Sequence, residues 1–164
     1  PNSEEALLDQ LASSFKMHYD NTGFRLTSAF PGVGEMLDAL ANAKIPLHIA
    51  TNKRQRPAVQ ILELLGWTDY FGLVISPDSY SQPLSSKSEI LSKVLDESCT
   101  SAIDCLYIGD RFDDCIAAEE VGISFALAEW GFCGDDSLFG PGVFRLKFPS
   151  VDHLLSRLGE RVTW

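Results

Sequence analysis

Between Cys105 and Val121 an apolar run halts on a glycine and a carboxylate follows at once. The stretch reads Cys105-Leu-Tyr-Ile-Gly109-Asp110-Arg-Phe-Asp113-Asp114, then Cys115-Ile-Ala-Ala-Glu-Glu-Val121. That order implies a strand, a tight turn and a helix. Several carboxylates on one strand-to-helix turn repel each other and cost stability. A hard divalent cation with oxygen ligands, such as Mg²⁺, suits such a cluster. The competing reading is an acidic helix start, because Asp favours the N-cap and the first turn. On these residues alone the two readings stand level.

The same alternation runs through the chain. Residues 3–19 place Ala6, Leu7, Leu8, Leu11, Ala12, Phe15 and Met17 at the spacing of an amphipathic helix. Tyr19-Asp-Asn-Thr-Gly23 reads as a turn. Pro31-Gly32 precedes a second helix carrying Val33, Met36, Leu37 and Leu40. Ile45–Ala50 is a short strand ending in Thr51-Asn52, followed by a helix over 56–65 that stops at Gly66. Phe71–Ile75 is the next strand, and a polar loop leads to a helix opened by a capping box, Ser86-Lys-Ser-Glu89. Strand 106–108, helix 113–121, strand 123–127, a surface loop over 131–142, strand 143–148 and helix 151–158 complete the expectation. Short strands alternating with helices imply an α/β fold with a parallel sheet. Ligands in such sheets bind beyond the C-terminal ends of the strands, where Thr51, Asn52 and Asp110 fall. Gly32-Val-Gly34 lacks both a third glycine and a preceding strand, so a dinucleotide-binding turn is not supported.

A chain of 164 residues suits one domain with a real core. Its net charge of −10 argues against a nucleic-acid backbone or an anionic membrane as the main partner. An anionic substrate would need a local cation. Cys99, Cys105, Cys115 and Cys133 form no C-x-x-C pair, so a zinc site is poorly supported. Cys105 and Cys115 are expected to pack as small hydrophobes. His48, between Leu47 and Ile49, reads as a packed strand residue. With no long apolar span and no secretory leader, a cytoplasmic setting is expected.

Two further places carry chemistry. Thr51 and Asn52 sit where a strand hands over to a helix, and a hydroxyl with free backbone N–H groups there can seat phosphate oxygens. An ordinary capped turn is the plainer alternative. Lys87 opens a helix, where the dipole mildly disfavours a cation, and a bound anion would explain it. A solvated surface lysine is the plainer alternative, as it is for Arg54 and Arg56.

Taken together, Ile49-Ala-Thr51-Asn52-Lys53, Ser86-Lys87-Ser88-Glu89-Ile90 and Gly109-Asp110-Arg-Phe-Asp-Asp114 with its trailing Ala117-Ala118 and Val121-Gly122-Ile123 resemble the haloacid dehalogenase superfamily, in particular its phosphoglycolate-phosphatase-like members. The resemblance covers residues 25–160. It implies a Rossmann-like core with a parallel sheet and helices on both faces, and a Mg²⁺-dependent phosphomonoester hydrolase acting on a small phosphorylated metabolite. By the same resemblance Thr51 contacts the transferring phosphoryl group, with Asn52 beside it. Lys87 neutralises phosphate and nucleophile, Asp110 binds Mg²⁺ directly, and Asp114 orients the metal. Asp113 falls where the family often has an uncharged residue and ranks below these two. The proline that often follows the family's lysine is absent. Trp130-Gly131-Phe132 lies where the family often closes over its site.

The family's chemistry starts from an aspartate nucleophile in a D-x-D-G-T turn, which forms an aspartyl-phosphate intermediate. No two aspartates separated by one residue occur in these 164 residues. The expectation is therefore a chain without the first core strand and without most of the helical cap, with residues 1–22 the tail of that cap and 23–164 the core. The absent strand would lie between the Thr51 and Asp110 strands. Another segment or chain would supply it, or the sheet would close across the gap. Alternatives are a non-catalytic binding or regulatory protein on the same scaffold, dehalogenase chemistry, and a receiver-like phospho-acceptor domain. The last is disfavoured because Thr51 and Lys87 precede Asp110.

Overall fold

A computed structural model describes residues 3–132 and 146–159. Its strands are β1 (Leu47–Ala50), β2 (Phe71–Ile75), β3 (Leu106–Gly109), β4 (Ser124–Ala128) and β5 (Leu146–Phe148). Its helices are α1 (Ser3–Asn21), α2 (Val33–Asn42), α3 (Gln55–Leu65), α4 (Lys87–Ser98), α5 (Phe112–Val121) and α6 (Val151–Gly159). Cys133, residues 133–142 of the expected loop and residues 143–145 of the expected last strand lie outside the described residues. Among the described residues no helix is long and apolar enough to cross a membrane.

The expected elements appear with shifted ends, and the shifts have causes. The first strand begins at Leu47 rather than Ile45, because Pro46 has no N–H to give a ladder. Ile123 belongs to a helix stop, not a strand: its N–H bonds the Ala118 carbonyl at 2.9 Å while Gly122 turns left-handed at φ 77°. The expected turn at 19–23 is instead helix as far as Asn21. Long-range contacts hold that last turn. Asp20 takes both ends of the Arg54 guanidinium at 2.5 Å, and the Lys53 ammonium meets the Tyr19 hydroxyl at 2.5 Å. Further up α1, Leu7, Leu8, Leu11, Phe15 and Met17 all remain exposed. The helix forms as its periodicity implies, but its apolar stripe covers nothing among the described residues.

Every strand pairing is parallel, yet the ladder is in two pieces. β1 pairs with β2, and β3, β4 and β5 form a separate sheet in that order. No ladder joins β1 to β3 among the described residues, so closure of the sheet across a gap is not what the structure contains. β1 and β3 stay half-buried along their whole length, whereas Ala126, Leu127 and Ala128 of β4 are buried. A strand flanked on one side only has less to bury it.

Helices cover both faces of the three-stranded sheet. Tyr107 and Phe125 pack toward Leu91 of α4 and Ala117 and Ala118 of α5. Leu106, Ile108 and Ala126, one residue out of phase, pack with Met36 of α2 and Leu154 of α6. The alternation follows from the two-residue period of a strand. Helix α4 also touches β1, β2 and α5, and so spans the break between the sheets.

His48 is packed, as expected. Burial holds its imidazole below the ordinary range, and its Nδ1 is buried without a hydrogen bond among the described residues, beside Gly72. Burial likewise pushes the Cys105 and Cys115 thiols up, which suits packing rather than reactivity.

Candidate active site

Thr51 closes β1, its N–H donating to the Ile75 carbonyl at 3.0 Å. This bond extends the β1–β2 register by one residue and fixes where the chain leaves the sheet. The Thr51 hydroxyl accepts the Lys53 N–H at 3.1 Å, a local turn of the kind expected from a short polar side chain. Asn52 is exposed and makes no hydrogen bond among the described residues. Arg54, weighed as a solvated cation, is instead committed to Asp20.

The capping box forms in altered shape. Ser86 caps α4 and accepts the Glu89 N–H at 3.1 Å, but the Glu89 carboxylate reaches chiefly back to Ser85, accepting its N–H at 2.6 Å and its hydroxyl at 3.0 Å. Those bonds hold the Glu89 carboxyl below the usual range. With its first turn fixed, α4 directs Lys87 inward. The Lys87 ammonium lies 3.3 Å from Asp114 Oδ1, 3.3 Å from the Tyr107 hydroxyl and 3.4 Å from the Ala50 carbonyl. One cation thus touches the end of β1, the side chain of a β3 residue and the first turn of α5.

On the other side of the break, Gly109 ends β3 and Asp110 follows. A Cβ at Gly109 would stand 2.8 Å from both Cβ and Oδ2 of Asp114, so only glycine lets α5 bring that carboxylate so close. Asp114 is buried, with 7% of its surface exposed. Its Oδ1 accepts the Tyr107 hydroxyl at 3.0 Å. Burial first, then the Asp114 charge, raises the Tyr107 phenol far above its ordinary range, and Asp110 adds to the effect. Asp110 Oδ2 accepts the Phe132 N–H at 2.7 Å. Asp113 points away, three-quarters exposed, with Arg111 at 3.8 Å.

Tyr107 is a site residue that pattern reading overlooks, since in sequence it is one member of an apolar strand. Its hydroxyl is the neutral link between Lys87 and Asp114. Tyr107→Phe is expected to lower the urea unfolding free energy by about 1 kcal/mol, the net value of such a bond. A variant as stable as the parent would show that the hydroxyl contributes no net stability.

Asp110 and Asp114 offer hard carboxylate oxygens, and one oxygen of each, Oδ1 of Asp110 and Oδ2 of Asp114, carries no hydrogen bond among the described residues. That donor set fits Mg²⁺, which is usually held by one or two carboxylates with waters and substrate oxygens. No group of three His, Cys, Asp or Glu side chains arranged for a metal occurs among the described residues.

Residues 2–128 match the haloacid dehalogenase-like hydrolase family. The chain is 31% identical over 138 residues to a phosphoglycolate phosphatase of Xylella fastidiosa, covering 80% of this chain and 57% of that protein. A phosphoglycolate phosphatase of Cupriavidus necator is 33% identical over 120 residues, 73% of this chain and 52% of its own length. The chain therefore spans little more than half of these relatives. In fold it is similar to a haloacid dehalogenase-like hydrolase from Streptococcus pneumoniae, with a TM-score of 0.80 at 21% identity over 92% of this chain and 69% of that one.

Proposed function

The chain belongs to the haloacid dehalogenase-like hydrolase family, and we propose that it carries the phosphate- and Mg²⁺-binding side of a phosphomonoester hydrolase of phosphoglycolate-phosphatase type. The observation that carries the proposal is Lys87. Its ammonium is held between the end of the Thr51 strand and the Asp114 carboxylate. A cation so placed supplies what an acidic chain otherwise lacks for a phosphorylated metabolite.

In this reading the Thr51 hydroxyl, which accepts the Lys53 N–H and can still donate its own proton, orients the phosphoryl oxygens, and Lys87 offsets their charge. Asp110 and Asp114 hold Mg²⁺, which when bound adds Lewis-acid charge stabilisation at the phosphoryl group. The nucleophile is an aspartate of a D-x-D-G-T turn lying outside these 164 residues. Its carboxylate oxygen attacks phosphorus, and the phosphorus–ester oxygen bond breaks. The second aspartate of the turn gives a proton to the departing oxygen. Water then attacks the aspartyl-phosphate and releases inorganic phosphate and the free carboxylate. The break between β1 and β3 supports an extended segment lying there, supplied by further polypeptide or a second chain, which would carry the nucleophile to the strand ends.

Titration with Mn²⁺ as a spectroscopic substitute for Mg²⁺ tests the metal assignment. One site is expected, weakened by about tenfold or more in Asp110→Asn, at least the penalty known for losing a mere supporting contact. A wild-type chain with no saturable Mn²⁺ binding would refute it.

A second reading is a non-catalytic binding protein on this scaffold, which would hold if no D-x-D turn joins these residues from elsewhere. It shares the metal and phosphate contacts and differs only in turnover.

A further inference from the structure

We propose that Gly131 and the backbone N–H of Phe132 form a positioning element for Asp110, fixing which carboxylate oxygen is offered to the metal. The inference rests on Asp110 being a Mg²⁺ ligand and concerns residues to which the family reading gives no such task. A loop N–H meeting a carboxylate is by itself ordinary. Here the approach is closer than any side chain at 131 would permit. A Cβ on Gly131 would stand 2.3 Å from the Asp110 Cβ, 2.8 Å from its Cγ and 2.6 Å from its Oδ2. The neighbouring Phe132 N–H then donates to that same Oδ2 at 2.7 Å, a short charge-assisted bond. The bond occupies one oxygen and leaves Oδ1 without a hydrogen bond among the described residues.

The segment cannot easily retreat to make room. Gly131 N–H bonds the Ala128 carbonyl at 3.0 Å, and Glu129 N–H bonds the Phe148 carbonyl at 3.0 Å. Trp130 packs on the buried cluster of Ala126, Phe148 and Leu154. The Phe132 ring itself is 81% exposed and is not what holds the loop. A methyl group at 131 would run into the Asp110 Cβ, which no side-chain rotation moves, so it would force the Asp110 turn and this loop apart and break the Phe132 N–H bond to Oδ2. Rigid support of this kind keeps a ligand's rotamer fixed before the metal arrives.

The test follows Mn²⁺ binding by electron paramagnetic resonance in wild type, Gly131→Ala, Phe132→Pro and Phe132→Ala, with circular dichroism to check folding. Gly131→Ala forces the loop and the Asp110 turn apart and Phe132→Pro removes the N–H, and each should weaken Mn²⁺ by about tenfold or more, as loss of a supporting contact to a metal ligand does. Phe132→Ala keeps the N–H and should stay within about twofold, well short of that loss. In the wild-type chain, the Phe132 amide resonance should also shift on Mg²⁺ addition along the same isotherm as binding. Should the two disruptive variants fail to fold, that resonance decides: a shift tracking binding supports the proposal, and an unmoved amide overturns it. Wild-type affinity in folded Gly131→Ala and Phe132→Pro would likewise overturn the positioning role while leaving the metal site intact. No Mn²⁺ binding in wild type would overturn the underlying metal assignment.

Discussion

Incubated with Mg²⁺ and a panel of phosphomonoesters, the 164-residue chain is expected to release no inorganic phosphate above the uncatalysed rate. Fused to an upstream apolar strand ending in D-x-D-G-T, it is expected both to turn over and to melt at a higher temperature. In the proposed reading Thr51 orients the phosphate, Lys87 offsets its charge and Asp110 and Asp114 hold Mg²⁺, and all of these effects act on an attacking carboxylate. The stability gain has a separate origin. β1 and β3 are each half-buried and joined by no ladder among the described residues. A strand between them would bury about four apolar side chains, worth roughly 6–12 kcal/mol at about 1.5–3 each. A typical domain has only about 5–15 kcal/mol in all. If a third of the gain survives the cost of ordering the strand, the midpoint should rise by about 4–16 °C. Phosphate release by the unfused chain, lost on Asp110→Asn, would contradict the first half. An unchanged melting temperature in a fused chain that turns over would contradict the second.

Lys87→Ala is expected to be the most damaging single substitution at the site. It would leave the Asp114 carboxylate, only 10% exposed in its side chain, facing a neutral tyrosine hydroxyl with no cation beside it. Removing one partner of a buried ion pair costs about 3–5 kcal/mol, chiefly because the other charge remains stranded. Asp114→Ala in the same chain should therefore recover part of the loss. In a urea double-mutant cycle the two changes together should cost at least about 1 kcal/mol less than their sum. Additive losses would mean that the 3.3 Å contact contributes nothing as a pair. Inorganic phosphate should also bind more weakly to Lys87→Ala, an effect that a merely structural lysine would not produce in a variant still folded.

Local chemistry was readable in the sequence and long-range pairing was not. The strand at Phe71–Ile75, the glycine that ends β3, and the Ser86 cap each follow from a few adjacent residues. Asp20 looked like part of a turn because Asp-Asn-Thr-Gly favours one. The structure keeps it helical through Arg54, which lies 34 residues away and leaves no trace in local pattern. Tyr107 hid inside an apolar strand for the same reason, its partners being supplied by α4 and α5. The Asp110–Phe132 contact joins positions 22 apart and was equally invisible. The apolar stripe of α1 signalled a helix correctly, but periodicity says that a face is greasy and not what lies against it.

The split ladder also bears on how the chain folds. Every strand pair described joins residues no more than 25 positions apart, such as Leu47 with Phe71 and Leu106 with Ser124. Each half-sheet can therefore zip up after its own loop closures, without waiting for the other, although parallel pairing across such crossovers closes more slowly than a hairpin. The halves then communicate through the packing of α4 and the ammonium of Lys87 rather than through backbone bonds. Cooperativity between them is consequently a matter of side chains. The place where it would show is in amide exchange, with β1–β2 and β3–β5 free to open as separate units.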